Sequence, residues 1–221
     1  MIAINSDADS PLIFRTMPFE LLENTLTTGS LWLRSAEYYR NLEDAVRNDA
    51  SEGINRGKIS IGLRIRSNNG PSVAIQGDGS IGGILAPHYI LSLHGSSISK
   101  DQLEKFGAHT VGIRSIWKLA GEILYKAGKI IPVTGNKYGQ VNYQYTALRR
   151  TFHALGGDAI HVDGEPPSFI NSYNTDVLRK DPVLPFIEQD EWRIVIYTES
   201  YLNADPNLPL KINVDLNNFY R

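Results

Sequence analysis

The apolar positions of this chain switch between the helical and the extended period every few residues, so the sequence divides into short elements. Residues 12–15, Leu-Ile-Phe-Arg, form a brief apolar strand ending on a cation, and Pro18 opens a helix with Phe19, Leu22 and Leu26 on one face. Gly29 is placed to cap that helix, and Leu31-Trp-Leu-Arg-Ser35 follows as a strand. Residues 58–66 alternate strictly, which predicts a half-buried strand; Asn69-Gly70 marks a turn and residues 72–76 its hairpin return. The glycines at 77–83 predict a hairpin loop, since they lack the Gly-Lys-Ser/Thr ending and the following helix of a phosphate loop.

Further on, residues 88–97 predict a buried strand opening into a polar loop, and Ser99 a cap on a helix over 100–106. A strand at 110–114 is followed by a helix from Ser115 through Tyr125, with Trp117, Ala120 and Leu124 on one face. Residues 129–133 and 140–145 predict the arms of a hairpin around Gly135 and Gly139; 146–155 predict a helix and 158–162 an extended segment. A β-rich run at 192–198 and a final one at 210–214 complete the pattern. No repeat, low-complexity tract or linker interrupts it, so the expectation is one α+β domain over 1–221 with a strand-rich core.

Composition narrows the function classes. Hydrophobic content of 42% and charged content of 21% are those of a globular protein. A net charge of −2 supplies no global attraction to nucleic acid or to an anionic membrane, which leaves a local basic patch as the route to a nucleic acid. The absence of cysteine excludes disulfides, thiolate catalysis and cysteine-based zinc sites. The N-terminal residues lack a signal-peptide pattern, and no run approaches the roughly 18–20 apolar residues that cross a bilayer. A cytoplasmic protein with no membrane partner is therefore expected.

The strongest candidate for chemistry is the run Glu188-Gln-Asp-Glu191, which abuts Trp192-Arg193 and the following strand. An acidic cluster so close to a buried strand places a carboxylate at the edge of the core, as a site residue or as an ion-pair partner of Arg193. The five histidines show no His-x-x-x-His or His-Glu-x-x-His spacing, which argues against a zinc or iron enzyme; His88 and His94 share one strand face near a loop. No Gly-x-Ser-x-Gly elbow marks a serine hydrolase. A glycosidase would need a second acid such as Asp44 or Glu43.

Together, Arg15, the Tyr38-Tyr39 pair, the serines at 92–97 and Gln189-Asp-Glu191 stand in an order that carries a resemblance. The blocks Leu31-Trp-Leu-Arg-Ser35, Glu52-Gly53 and the late Glu-Trp-Arg look like a widespread uncharacterised bacterial family with a Leu-Trp-Leu-Ser … Glu-Gly … Glu-x-Glu-Trp-Arg pattern. More distantly, the layout is similar to the ADP-ribosyltransferase superfamily. The resemblance implies a split β-sheet core flanked by short helices and NAD as substrate in its cleft. It implies Glu191 as the catalytic carboxylate with Gln189 and Glu188 as helpers. Arg15, Tyr38, Tyr39, Ser92, Ser96 and His94 would hold the nucleotide. A macromolecular acceptor (protein or nucleic acid) and an antitoxin or chaperone partner, in a toxin or phage-defence setting, would follow.

The residue types suit that chemistry independently. Cleavage of the nicotinamide–ribose bond passes through an oxocarbenium-like centre that a carboxylate can stabilise. Arginine offers a pyrophosphate a fork of donors that lysine does not. Two other readings stay open: a non-enzymatic nucleotide- or partner-binding module, and a metal-dependent nuclease using Asp44, Glu43 and Glu191.

Overall fold

The computed structural model describes residues 11–41, 52, 54–59, 63–67, 73–75, 79–84, 86–98, 100–141, 149–153, 159–163, 177–178 and 190–220. In chain order these form β1 (Ile13–Met17), α1 (Phe19–Thr28), β2 (Ser30–Ser35), α2 (Ala36–Arg40), β3 (Ile54–Ile59), β4 (Leu63–Ser67), β5 (Val73–Ile75), β6 (Gly79–Ile84) and β7 (His88–His94). There follow α3 (Lys100–Phe106), β8 (His109–Ile113), α4 (Ile116–Ala127), β9 (Val133–Gln140), β10 (Arg149–His153), β11 (Ala159–Asp163), β12 (Glu191–Thr198), β13 (Leu210–Asn213), a 3-10 turn and β14 (Phe219–Tyr220). The fold is α+β, as expected. No described helix is long and apolar enough to cross a membrane.

Among the described residues the main sheet has eight antiparallel strands and branches at β7. One edge of β7 is taken along its length by β12, from His88↔Tyr197 to His94↔Glu191, and β9 lies outside β12. The other edge is shared. β2 meets its start, at Ser35↔Tyr89 and Arg34↔Ile90, while β1 meets its end, at Phe14↔His94. Between these contacts the sheet forks into a β2–β13 wing and a β1–β8–β14 wing.

Two central strands hold this fork because both are buried on both faces. Tyr89, Leu91, Leu93, Ile194 and Ile196 join the main core, which α4 covers with Leu119, Ala120 and Ile123. Ile90 and Val195 point the other way into a smaller cluster with Val177, against which Tyr39 packs. Near-continuous apolar runs are what such doubly covered strands require.

Local signals set several boundaries. Ser115 caps α4 by accepting from the Lys118 amide, and Ser35 caps α2 by accepting from the Tyr38 amide. Gly29 ends α1 with φ 73°, and its amide donates to the Thr25 carbonyl. A Cβ on Gly29 would lie 1.8 Å from the Val214 carbonyl oxygen. Gly29→Ala is expected to lower stability by about 3 kcal/mol, combining left-handed strain of ~1–2 kcal/mol with overpacking of ~1–3 kcal/mol. Urea unfolding checks this, and an unchanged midpoint would contradict it.

Several expectations are corrected. Of the alternating stretch 58–66, residues 58–59 end β3, which pairs with β6, and 63–66 belong to β4, which pairs with β5 and β11, while 60–62 lie outside the described residues; the hairpin return is present as Leu63↔Ile75 and Ile65↔Val73. The glycine-rich segment expected as a loop contains strand β6, in register with β3 from Ile54↔Ile84 to Ile59↔Gly79. Ladder bonds are made by the backbone, so glycines can supply them once a partner strand is present.

Residues 133–140 are one continuous strand through Gly135 and Gly139, not a hairpin, because β12 offers a partner from Trp192↔Gln140 to Thr198↔Val133. Residues 149–153, expected as helix, form β10 on β11, where Thr151 and Phe152 suit a strand. The buried face of α4 runs through Ile116, Leu119, Ala120, Ile123 and Ala127, leaving Trp117 54% exposed. Phe19 likewise sits outside the core, edge-on to His109, while Leu21, Leu22 and Leu26 pack inward.

Candidate functional site

The fork leaves a cavity of about 380 Å³ between its wings. From β1, Arg15 alternates with the core residues Ile13 and Met17, and its guanidinium donates to the Trp32 carbonyl on β2 at 3.3 Å. Among the described residues no carboxylate pairs with it. Burial pulls its pKa down to about 10; Tyr39 opposes that fall and the Arg34 charge adds to it. Among the described residues this half-buried cation has no counterion, and an anionic ligand would stabilise it.

The register of β12 on β7 sets the opposite side. Glu191 stands across from His94 and Arg193 across from Ser92, all on the face that carries Ile90 and Val195. Arg193 is 2% exposed and joins two buried carboxylates. Its Nε donates to Glu191 Oε1 at 2.8 Å, while Nη1 and Nη2 donate to Glu52 Oε1 and Oε2 at 3.1 and 2.8 Å. Nη1 also donates to the Val177 carbonyl at 2.7 Å. Burial would lower the Arg193 pKa, but the charges of Glu191 and Glu52 outweigh it and hold the guanidinium firmly protonated.

Ser92 completes the arrangement around Glu191. Its hydroxyl donates to Glu191 Oε1 at 3.2 Å and therefore accepts from the Tyr39 hydroxyl, also at 3.2 Å. Burial pushes the Tyr39 pKa up to about 12; the Ser92 bond opposes the rise and Glu191 adds to it, so the phenol keeps its proton at neutral pH. Asp190 adopts φ 43° and faces away, its carboxylate accepting from Gln140 Nε2 at 2.9 Å and lying against Gly95. Asparagine and aspartate tolerate this left-handed region better than most residues.

His94 donates from Nδ1 to the Gly95 carbonyl at 2.8 Å, which leaves Nε2 to accept from the Thr16 hydroxyl at 2.9 Å. Burial lowers its pKa below the ordinary 6.5, against the opposing Gly95 bond and Asp190 charge. The unfolded chain therefore takes up the proton at higher pH than the folded one. Stability from this ring is complete above pH 6.5 and is lost as pH falls from there through the lower folded value. Melting His94→Asn alongside the parent protein should show a flatter pH dependence in that window; parallel curves would refute it.

Of the expected site residues, Arg15, Tyr38, Tyr39, Ser92, His94 and Glu191 all line the one cavity. Ser96 does not: it is exposed, beyond the end of β7, and does not line the cavity. Gln189 and Glu188, and the nuclease candidates Asp44 and Glu43, lie outside the described residues. Among the described residues no group of three or more metal-ligating side chains is placed to hold an ion. The cavity also takes Glu52, Arg193, Trp32 and Arg34, which the sequence did not single out as functional. A signal existed for Trp32 and Arg34, since they alternate with the buried Leu31 and Leu33 and must face away from the core. Glu52 stood in one of the blocks of the resemblance, but nothing local pairs it with Arg193, 141 residues away.

The arrangement thus has a cationic end at Arg15 and Arg34 and a carboxylate end at Glu191, with tyrosine rings between. Comparison of the chain with protein-family models, curated proteins and solved structures finds no match.

Proposed function

We propose that the protein is an ADP-ribosyltransferase-like enzyme that cleaves NAD and moves its ADP-ribose to a macromolecular acceptor. The observation that carries this reading is the meeting of Arg15, Ser92 and Glu191 at the fork, on the neighbouring strands β1, β7 and β12. A first-strand arginine, a middle-strand serine and a late-strand glutamate are what the resemblance requires of an NAD cleft.

The residues suit the substrate at both ends. The half-buried guanidinium of Arg15 receives a pyrophosphate, and Arg34 adds a second charge nearby. Glu191, oriented by Ser92 and Arg193, faces the nicotinamide ribose. In the reaction the bond from ribose C1′ to the nicotinamide nitrogen breaks, and nicotinamide leaves with the electron pair. The carboxylate stabilises the positive charge on the ribose, and an acceptor oxygen or nitrogen bonds to C1′ and gives up its proton. Tyr38 and Tyr39 offer rings for the nicotinamide.

Incubating the purified protein with NAD and assaying free nicotinamide tests the reading. Release is expected, and silence both alone and with cell extract would overturn it. A second reading, a nucleotide-binding module without turnover, is favoured by the Glu191–Arg193 ion pair, which a purely structural carboxylate would also make. It predicts that NAD raises the melting temperature with no nicotinamide formed.

A further inference from the structure

A line of alternating cations and rings leads away from the cavity across the β2–β13 wing. Trp32 and Arg34 share the face of β2 opposite the buried Leu31 and Leu33, and both line the cavity. On β13, Lys211 is the register partner of Trp32; it is exposed between the buried Leu210 and Ile212. Its Nζ lies 4.7 Å from the Trp32 ring centroid, and Arg34 Cζ lies 5.5 Å from the same ring. Arg34 Cζ also sits 4.3 Å over Tyr38, which meets Tyr39 edge-on at 5.4 Å. Tyr39 reaches Ser92 and, through it, Glu191.

The order along the strip from β13 is thus Lys211, Trp32, Arg34, Tyr38, Tyr39, the last four lining the cavity, and strand pairing fixes the spacing of the first three. Neither Lys211 nor Arg34 forms an ion pair among the described residues, in a chain whose net charge is −2. These two cations thus have no acid partner among the described residues, Arg34 at the cavity and Lys211 on the strand beside it.

We infer that this strip is a track for a single-stranded nucleic acid, and, resting on the transferase reading above, that such a strand is the acceptor. Charge and rings together select it. A polymer that presents phosphates and flat bases in alternation can use both the cations and the aromatic faces, and aromatic stacking tolerates any base sequence. In a duplex the base faces are already stacked, and an acidic peptide would leave the rings unused. A base or sugar hydroxyl of the strand then supplies the nitrogen or oxygen that bonds to ribose C1′ and releases its proton.

Fluorescence anisotropy with a short labelled single strand, of DNA or RNA, and with its duplex tests the track without NAD present. The single strand should bind more tightly than the duplex. Lys211→Glu, at an exposed position, should weaken it about ten-fold and reduce the salt slope of log K by roughly one. Trp32→Ala should weaken it by a similar factor of about ten, while Trp117→Ala, on α4, should leave it unchanged. No binding by the parent protein, or equal binding by Lys211→Glu, overturns the proposal. So does label from radioactive NAD that resists nuclease and yields to protease in an extract, which would identify a protein acceptor. Strand binding that is lost in Lys211→Glu without any nicotinamide release would leave the track standing and remove the transferase reading.

Discussion

Glu191→Gln is expected to reduce nicotinamide release from NAD by at least about 10²-fold, the scale on which a single group stabilising a charged transition state contributes. The substitution keeps the shape of the side chain and leaves an oxygen to accept from Ser92 and from Arg193 Nε, the bonds made at 3.2 and 2.8 Å in the parent. What it removes is the negative charge that the proposed reaction uses at the ribose carbon. The loss should therefore fall on kcat, with NAD affinity changed much less, because the cationic end of the cavity at Arg15 is untouched. Titrating NAD by calorimetry and following single-turnover release separates the two. A variant that turns over NAD at the parental rate would remove Glu191 from the chemistry.

Arg193→Met should cost about 3–5 kcal/mol of folding stability, the range seen when one member of a buried ion pair is deleted. Methionine fills much of the volume but leaves Glu191 and Glu52, 7% and 5% exposed, without the cation they share. Arg40 would still donate to the Glu52 carbonyl, and His88 Nε2 would still lie 3.9 Å from Glu52 Oε1. Adding Glu52→Gln to Arg193→Met should recover part of the loss, since one of the two carboxylates that Arg193 serves is then neutral. Urea unfolding of both single variants and the double gives the coupling directly. Strictly additive losses would mean that the contact between Arg193 and Glu52 carries no energy.

The same network explains how one ion pair can serve structure and site together. Arg193 is anchored by Glu52 and the Val177 carbonyl, and it presents its Nε to Glu191 from a fixed direction. Ser92 approaches the same oxygen from β7. A carboxylate held from two strands is oriented before any ligand arrives, which is how a preorganised group differs from a solvated one.

Much of the local structure is legible in the residues. Pro18 and Gly29 bracket α1, Ser115 opens α4, and the apolar runs of β7 and β12 mark central strands. The polar residues that interrupt those strands, Ser92, His94, Glu191 and Arg193, stand out for the same reason: a strand buried on both faces has little room for them. Misreadings arose where glycines or a mixed pattern admitted two local answers, at 79–84, 133–140 and 149–153. In each, a ladder to another strand, distant for 79–84 and 133–140 and the next along the chain for 149–153, outweighed the local preference.

By itself the sequence determined which short segments would be helix or strand along most of β1 to β2 and β7 to α4, because caps and periodicity act over a few residues. It also marked Arg15, Ser92 and Glu191 as polar groups on apolar strands. Only the tertiary structure decided that β1 and β2 share one edge of β7, so that a cavity opens between them. It alone brought Glu52 to Arg193 and set Lys211 beside Trp32. Strand order and register depend on which distant backbone is present to pair, and no local window of the chain contains that partner.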